Sequence, residues 1–169
     1  MTTAISPPAS DEDLAAIRTL FREYVSVPGW EAGFATYLAQ QAFDTELADL
    51  RRVYAPPTGQ LLLARVDGEP AGCVAFKPLE QPAVCEMKRL FVRAEFRTLG
   101  LGRRLVEAVL GEAVRAGYTR MRLDTLPSMR AAQRLYHAAG FREIPAYCTN
   151  PVVGAVFMEC ELAASHAAV

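Results

Sequence analysis

Apolar residues Leu14, Ile17, Leu20, Phe21 and Tyr24 recur at three- and four-residue steps, which predicts a helix with one buried face. Ser10 ahead of Asp11-Glu12-Asp13 supplies an N-cap and first-turn acids, and Pro28-Gly29 marks the end of the pattern. Met1 to Ser10 reads as a short edge strand or an irregular start. Trp30 to Gln41 and Phe43 to Arg52 predict a second helical region.

After the break at Pro56-Pro57-Thr58-Gly59 the pattern changes period. Gln60 to Val66 and Ala71 to Lys77 are β-rich runs joined by the turn signal Asp67-Gly68, so they predict a hairpin. Ala83 to Val92 predicts the next strand. A long amphipathic stretch follows from Leu101 to about Ala116, with Leu101, Leu105, Val109, Leu110 and Ala113 on one face and Gly117 at its end. Arg120 to Leu126 alternates, with Met121, Leu123 and Thr125 on one side and Arg122 and Asp124 on the other. Pro127-Ser128 opens a helix through Tyr136 to Ala139, capped by Gly140. Phe141 to Ile144 and Val152 to Leu162 predict the last two strands, and the tail from Ala163 is expected to fray. This order predicts a mixed α/β chain in one domain, 1–169, with one or two parallel contacts where a helix crosses over.

The connection Arg97-Thr98-Leu99-Gly100-Leu101-Gly102 lies between a predicted strand and a predicted helix. Glycine permits φ > 0 and lets the backbone approach a ligand without a Cβ in the way. The helix that starts there has N–H groups without intrahelical partners and the positive end of its dipole. Together these form an anion site suited to phosphate, and Arg97, Arg103 and Arg104 flank it. There is no G-x-x-x-x-G-K-[ST] loop, and Gly100-x-Gly102-x-x-Leu105 lacks the third glycine of a dinucleotide fingerprint.

Composition narrows the picture by exclusion. The chain has 169 residues, is 51% hydrophobic and carries a formal net charge of −1. That balance gives no reason to expect a nucleic-acid partner, which would want a basic face. No segment approaches the ~20 apolar residues of a membrane span, and no secretory leader pattern opens the chain. A cytoplasmic location is the expectation. Cys73, Cys85, Cys148 and Cys160 are widely spaced, with only His137 and His166 as companions. They predict buried free thiols, with neither a disulfide nor a metal site.

Two motifs now converge on one family. Arg97 through Gly102 fits the pattern Arg or Gln, two residues, Gly, one residue, Gly or Ala, and Lys88-Arg89-Leu90-Phe91-Val92 resembles the usual approach to that loop. Ala132-x-x-Leu135-Tyr136-x-x-x-Gly140-Phe141 is similar to the late helix and following strand of the same family. Over nearly its whole length the chain resembles the GNAT superfamily of acetyl-CoA-dependent N-acetyltransferases. The resemblance implies a mostly antiparallel twisted sheet of about six to seven strands flanked by about four helices, with a splayed parallel strand pair at the cofactor site. One departure stands out: many members have Asn seven residues before the Tyr, where this chain has Met129, and Ser128 beside it is the candidate substitute.

The resemblance implies that the N–H groups at Leu99 to Arg103 bind the pyrophosphate of acetyl-CoA, with Arg97, Thr98, Gly100, Leu101 and Gly102 in the same loop. Leu90, Phe91 and Val92 would pair by backbone with the pantetheine arm, and a backbone N–H there would stabilise the oxyanion. Glu86 stands where histone-acetylating relatives carry a general-base carboxylate; its structural alternative is an ion pair with Lys88 or Arg89. Tyr136 is similar to the tyrosine that protonates the departing thiolate; its alternative is core packing with a satisfied hydroxyl.

Early helices and the closing loop choose the amine in this family. Trp30, Glu31, Tyr37 and Tyr147-Cys148-Thr149-Asn150-Pro151 are therefore candidate acceptor contacts, although the aromatics at Trp30, Phe34, Tyr37 and Phe43 equally fit core packing. Arg89, Arg122 or Arg130 could hold a substrate carboxylate. The expected partner is a small-molecule or amino-acid-like amine, with a peptide or protein amine as the runner-up. A non-catalytic acyl-CoA-binding sensor is the alternative of a different class. Homodimers are common among similar proteins, so a homodimer stays open.

Overall fold

The structure is a computed structural model that describes residues 1–168. A seven-stranded sheet runs in the order β1-β2-β3-β4-β5-β7-β6. The strands are β1 Thr3–Ser6, β2 Gln60–Val66, β3 Glu69–Pro78, β4 Val84–Val92, β5 Arg120–Thr125, β6 Arg142–Ile144 and β7 Val156–Glu161. Every pairing is antiparallel except β4 with β5, whose parallel register covers only Val84↔Arg120, Cys85↔Met121 and Glu86↔Arg122. Beyond Glu86 and Arg122 the two strands separate.

Six helices cover the sheet: α1 Asp11–Val25, α2 Phe34–Gln40, α3 Phe43–Ala48, α4 Leu50–Val53, α5 Leu101–Arg115 and α6 Arg130–Ala138. Strand β2 is buried on both faces, which is why its sequence reads as a nearly unbroken apolar run. Leu62, Ala64 and Val66 join the core under α5 and α6. Leu61 and Leu63 join Ile17, Leu20, Phe21 and Leu50 beneath α1 and α4. The cap of α1 forms as its sequence predicts, with the Ser10 side chain accepting from the Asp13 N–H.

Several boundaries differ from expectation. The predicted Trp30–Gln41 helix begins only at Phe34, because Gly33 at φ 93° turns the chain there. The Phe43–Arg52 segment divides at Asp49, whose carboxylate accepts from the Arg52 N–H and starts a new turn. Six helices therefore stand where about four were expected. A 3-10 turn, Ala94–Leu99, fills the connection before α5. Helix α6 starts at Arg130 because Leu126 to Met129 closes a separate turn, and β7 starts at Val156 after a turn from Val152 to Ala155. The tail does not fray: Ala164–Ala168 forms a 3-10 turn against α5, with Arg115 Nη1 donating to the Ala167 carbonyl at 3.0 Å.

The β4 bulge positions the site. Ala75 pairs with Lys88 and Cys73 with Phe91, so two residues of β4 oppose Val74 alone, and Arg89 sits at φ 60°. Arg89 is anchored from the other side of the chain. Its guanidinium makes two bonds to Glu46, at 3.0 and 2.7 Å, lies over the Phe43 ring, and is buried. Tyr54 donates to the same carboxylate at 2.6 Å. Burial alone would raise the Glu46 carboxyl, but Arg89 and the Tyr54 hydroxyl outweigh it and hold it below its ordinary value.

Candidate active site

A groove of about 660 Å³ follows the line where β4 leaves β5. One wall is Leu90, Phe91 and Val92 of β4; the opposite wall is Ser128, Ala132, Arg134 and Leu135, and Val27 to Trp30 close it from above. After Glu86 the Met87–Val92 segment of β4 has no strand beside it on this side, so its backbone edge faces the gap without a strand partner. The groove ends at the start of α5. Gly100 there has φ 69° and supplies no side-chain cap, and the first backbone bond of the helix is Arg104 N–H to the Gly100 carbonyl. The N–H groups of Leu101, Gly102 and Arg103 therefore have no intrahelical partner.

Gly102 lines the groove, and a Cβ placed on it would come 3.1 Å from Leu135. Arg97, which donates to the Val92 carbonyl at 3.0 Å, and Arg103 also line it. Thr98 and Leu99 are exposed and do not line it, and the Leu101 side chain is wholly buried in the core, so none of these three side chains faces the groove. Arg104 departs from expectation: it reaches the Thr3 carbonyl at the sheet edge instead. Arg134 from α6 takes that place in the groove. Ser128 borders the groove, but its N–H donates to Glu31 Oε1 at 2.6 Å and is not free for a ligand. Trp30, predicted as an acceptor contact, lines this groove, and its indole N–H is buried without a partner.

A second, inner cavity of about 30 Å³ adjoins the groove and shares Tyr24, Leu90 and Met129 with it. Tyr136 projects from α6 to this cavity, packs against Phe141, and burial raises its hydroxyl above the ordinary tyrosine range. It remains protonated at neutral pH and can donate. On the far side stands a buried polar cluster. Lys88 Nζ lies 3.2 Å from Glu86 Oε1 and 3.8 Å from Asp124 Oδ1, and donates to Gln41 at 2.6 Å and to the Tyr37 hydroxyl at 3.1 Å. Tyr37 donates to Asp124 Oδ1 at 3.1 Å, Asn150 donates to Asp124 Oδ2 at 2.9 Å, and Tyr147 donates to Glu86 Oε2 at 2.9 Å.

Glu86 therefore adopts the ion pair with Lys88 that was its alternative role, and it does not line the inner cavity. Tyr37 and Asn150, two of the candidate acceptor contacts, do line it. Neither Arg89 nor Arg122 is free for a carboxylate: Arg89 is held by Glu46, and Arg122 by Glu159 at 2.6 Å with Tyr147 under its guanidinium. Cys73, Cys85 and Cys160 are buried free thiols. Burial pushes Cys148, half-buried in the closing loop, up to about 11, so it is no ready nucleophile at neutral pH. Sequence reasoning missed Asp124, Tyr24 and Arg134 as site residues and named Lys88 only as a possible partner of Glu86. The alternation along β5 does set Asp124 apart from the core face, but spacing alone does not say what it meets.

Comparison with known proteins agrees with this architecture. The model of the acetyltransferase (GNAT) family matches residues 16–141. An uncharacterised N-acetyltransferase of Schizosaccharomyces pombe is 39% identical over 160 residues, 94% of each chain. Human N-acetylaspartate synthetase is 34% identical over 106 residues, 62% of this chain but only 35% of its own length. The PaiA N-acetyltransferase of Thermoplasma acidophilum, solved with coenzyme A, has the same fold at 18% identity and a TM-score of 0.73, with 95% of this chain and 99% of that one covered. The chain belongs to the GNAT family and is an acyltransferase of the N-acetyltransferase type. Among the described residues no helix is long and apolar enough to cross a membrane.

Proposed function

We propose that the chain acts as one catalytic domain that transfers the acetyl group of acetyl-CoA directly to a primary amine of a small acceptor, amino-acid-like amines included, in a ternary complex. The observation that carries this reading is the order of the site: the uncapped start of α5, then the edge of β4 that lacks a strand partner, then the inner cavity beside Tyr136, which shares Tyr24, Leu90 and Met129 with the groove. The groove's volume falls within the usual ~300–1,000 Å³ of small-ligand sites. The free N–H groups of Leu101 to Arg103, with Arg97, Arg103 and Arg134, suit the phosphates of coenzyme A. The edge of Leu90 to Val92 suits the amides of its pantetheine arm.

The donor supplies a thioester carbonyl, and the residues around it divide the work. A backbone N–H near Leu90 to Val92 stabilises charge on the carbonyl oxygen. Tyr136 donates to the leaving sulfur; its raised affinity for its proton makes it a stabilising donor more than a source of a fully transferred proton. Glu86 belongs to the polar cluster that serves the amine, where it holds Lys88 in position. The small inner cavity favours the end of a small amine over a polypeptide backbone. A reducing, cytoplasmic setting fits the four free thiols.

The test is thermal unfolding with and without acetyl-CoA, repeated for Gly102→Glu, followed by thiol release with a panel of amines. Ligand at 100 times its Kd stabilises by roughly 2.7 kcal/mol. Gly102→Glu places bulk and negative charge at the phosphate end and should abolish that shift while leaving a folded protein. No shift in the wild type would refute acetyl-CoA as the donor, and binding without turnover of any amine would indicate a sensor.

A further inference from the structure

Strand β5 leaves β4 after Arg122, and Asp124 is the next residue on that face. Its side chain is only 3% exposed. Its known partners are the Tyr37 hydroxyl, the Asn150 amide and, at 3.8 Å, Lys88. An ionised carboxylate can accept about four hydrogen bonds, so Asp124 keeps capacity for a ligand on the cavity it lines. Glu86, which meets Lys88 and Tyr147, differs in that it does not line that cavity.

Charge points the same way. Glu86 and Asp124 share the single cation Lys88, while Arg89 is matched by Glu46. Lys88 stands 3.2 Å from Glu86 but 3.8 Å from Asp124, so the carboxylate on the cavity is the one less closely met by a cation, and a cationic amine entering there would meet it.

Resting on the acetyltransferase reading, we infer that Asp124 is the carboxylate that receives the acceptor as an ammonium ion and takes its first proton. Tyr37 and Asn150 act as positioning residues that hold the two carboxylate oxygens. One N–H proton passes to Asp124, and the freed nitrogen lone pair forms the C–N bond to the acetyl carbon. The C–S bond then breaks with its electron pair on sulfur. The second proton lost by nitrogen reaches that sulfur with Tyr136 as donor partner, giving amide and thiol. Asp124 returns its proton to solvent, so one proton is released per turnover.

The other titratable or charged groups around Asp124 come from each element packed on it: Tyr24 of α1, Tyr37 of α2, Glu86, Lys88 and Arg89 of β4, Tyr136 of α6, and Tyr147 and Cys148 of the closing loop. Burial raises the tyrosines and Cys148, so they stay neutral across the acid range, and the acid limb of the rate falls to a carboxylate.

The experiment compares wild type, Asp124→Asn and Glu86→Gln for acetyl-CoA thermal shift and for the pH dependence of kcat. The acceptors are trifluoroethylamine, glycinamide and n-butylamine, three amines of graded basicity. Asp124→Asn should keep the acetyl-CoA shift, lose about 10²–10⁴-fold in kcat, as expected for a lost proton acceptor, and lose the acid limb. Glu86→Gln should keep that limb. Asp124→Asn with near-wild-type turnover, or a limb that disappears in Glu86→Gln instead, would overturn the inference. Should Asp124→Asn fail to fold, the wild-type limb decides together with Glu86→Gln. A limb that stays fixed across the three amines and survives in Glu86→Gln supports Asp124, and one that follows each amine's own basicity overturns it. Wild type that binds acetyl-CoA yet acetylates none of the three also overturns it. Wild type that does not bind acetyl-CoA overturns the acetyltransferase reading itself.

Discussion

Replacing Glu46 with Leu tests whether the β4 bulge is held from outside the sheet. The substitution keeps side-chain bulk in α3 but strands the Arg89 guanidinium, whose side chain is only 2% exposed and whose two bonds to Glu46 span 2.7 and 3.0 Å. It also removes the acceptor of the buried Tyr54 hydroxyl. Breaking one partner of a buried pair costs about 3–5 kcal/mol. At this chain length that is a fall in Tm of about 6–20 °C. Adding Arg89→Met should recover much of the loss, because an apolar pair of similar volume is often as stable as a buried ion pair. The pH dependence has a definite sign. Glu46 titrates lower in the folded chain than its ordinary 4.5. Its contribution is therefore complete above the unfolded-state value and lost as pH falls through the lowered folded one. Calorimetry or urea unfolding at pH 7 and in the acid range reads both effects. A cost below about 1 kcal/mol, the value of an exposed pair, or no recovery in the double variant, would refute the anchoring role.

Two further outcomes are expected. Tyr136→Phe keeps the packing on Phe141 and should leave acetyl-CoA binding unchanged while lowering kcat by up to about 10²-fold, the low end of general-acid effects; unchanged kcat in assays limited by chemistry would remove Tyr136 from the reaction. Glu31→Ala cuts the 2.6 Å tie between the 27–33 segment and Ser128 over the groove. It should speed both association and release of acetyl-CoA in stopped-flow traces, and unchanged rates would show that this tie does not gate the groove.

The glycine turn was readable because its physics is local. Gly100 sits at φ 69° and leaves the helix uncapped, and both follow from a strand, two glycines and an amphipathic run in order. The hairpin at Asp67-Gly68, the α1 cap and the alternation along β5 were legible for the same reason. The Arg89 bulge was not. A non-glycine residue at φ 60° carries no signature of its own, and what holds it is a carboxylate 43 positions away. The segment from Trp30 to Arg52 shows the limit from the other side. Its apolar spacing predicts long helices, but Gly33, Ala42 at φ 51° and Asp49 divide it into short ones.

The polar cluster makes the division clear. Local pattern determined that Glu86 and Lys88 share one face of β4 and that Asp124 lies off the core face of β5, because strand side chains alternate. It also determined the family, since the phosphate loop and the Tyr136 helix are contiguous motifs. Only the tertiary structure decided that Glu86 is spent on Lys88 and Tyr147 while Asp124 faces the inner cavity. That choice depends on where β4 and β5 separate and on Tyr37 and Asn150 arriving from distant segments. Alternation assigns a residue to a face, but the energy of a buried charge is set by the partners that the fold brings to that face.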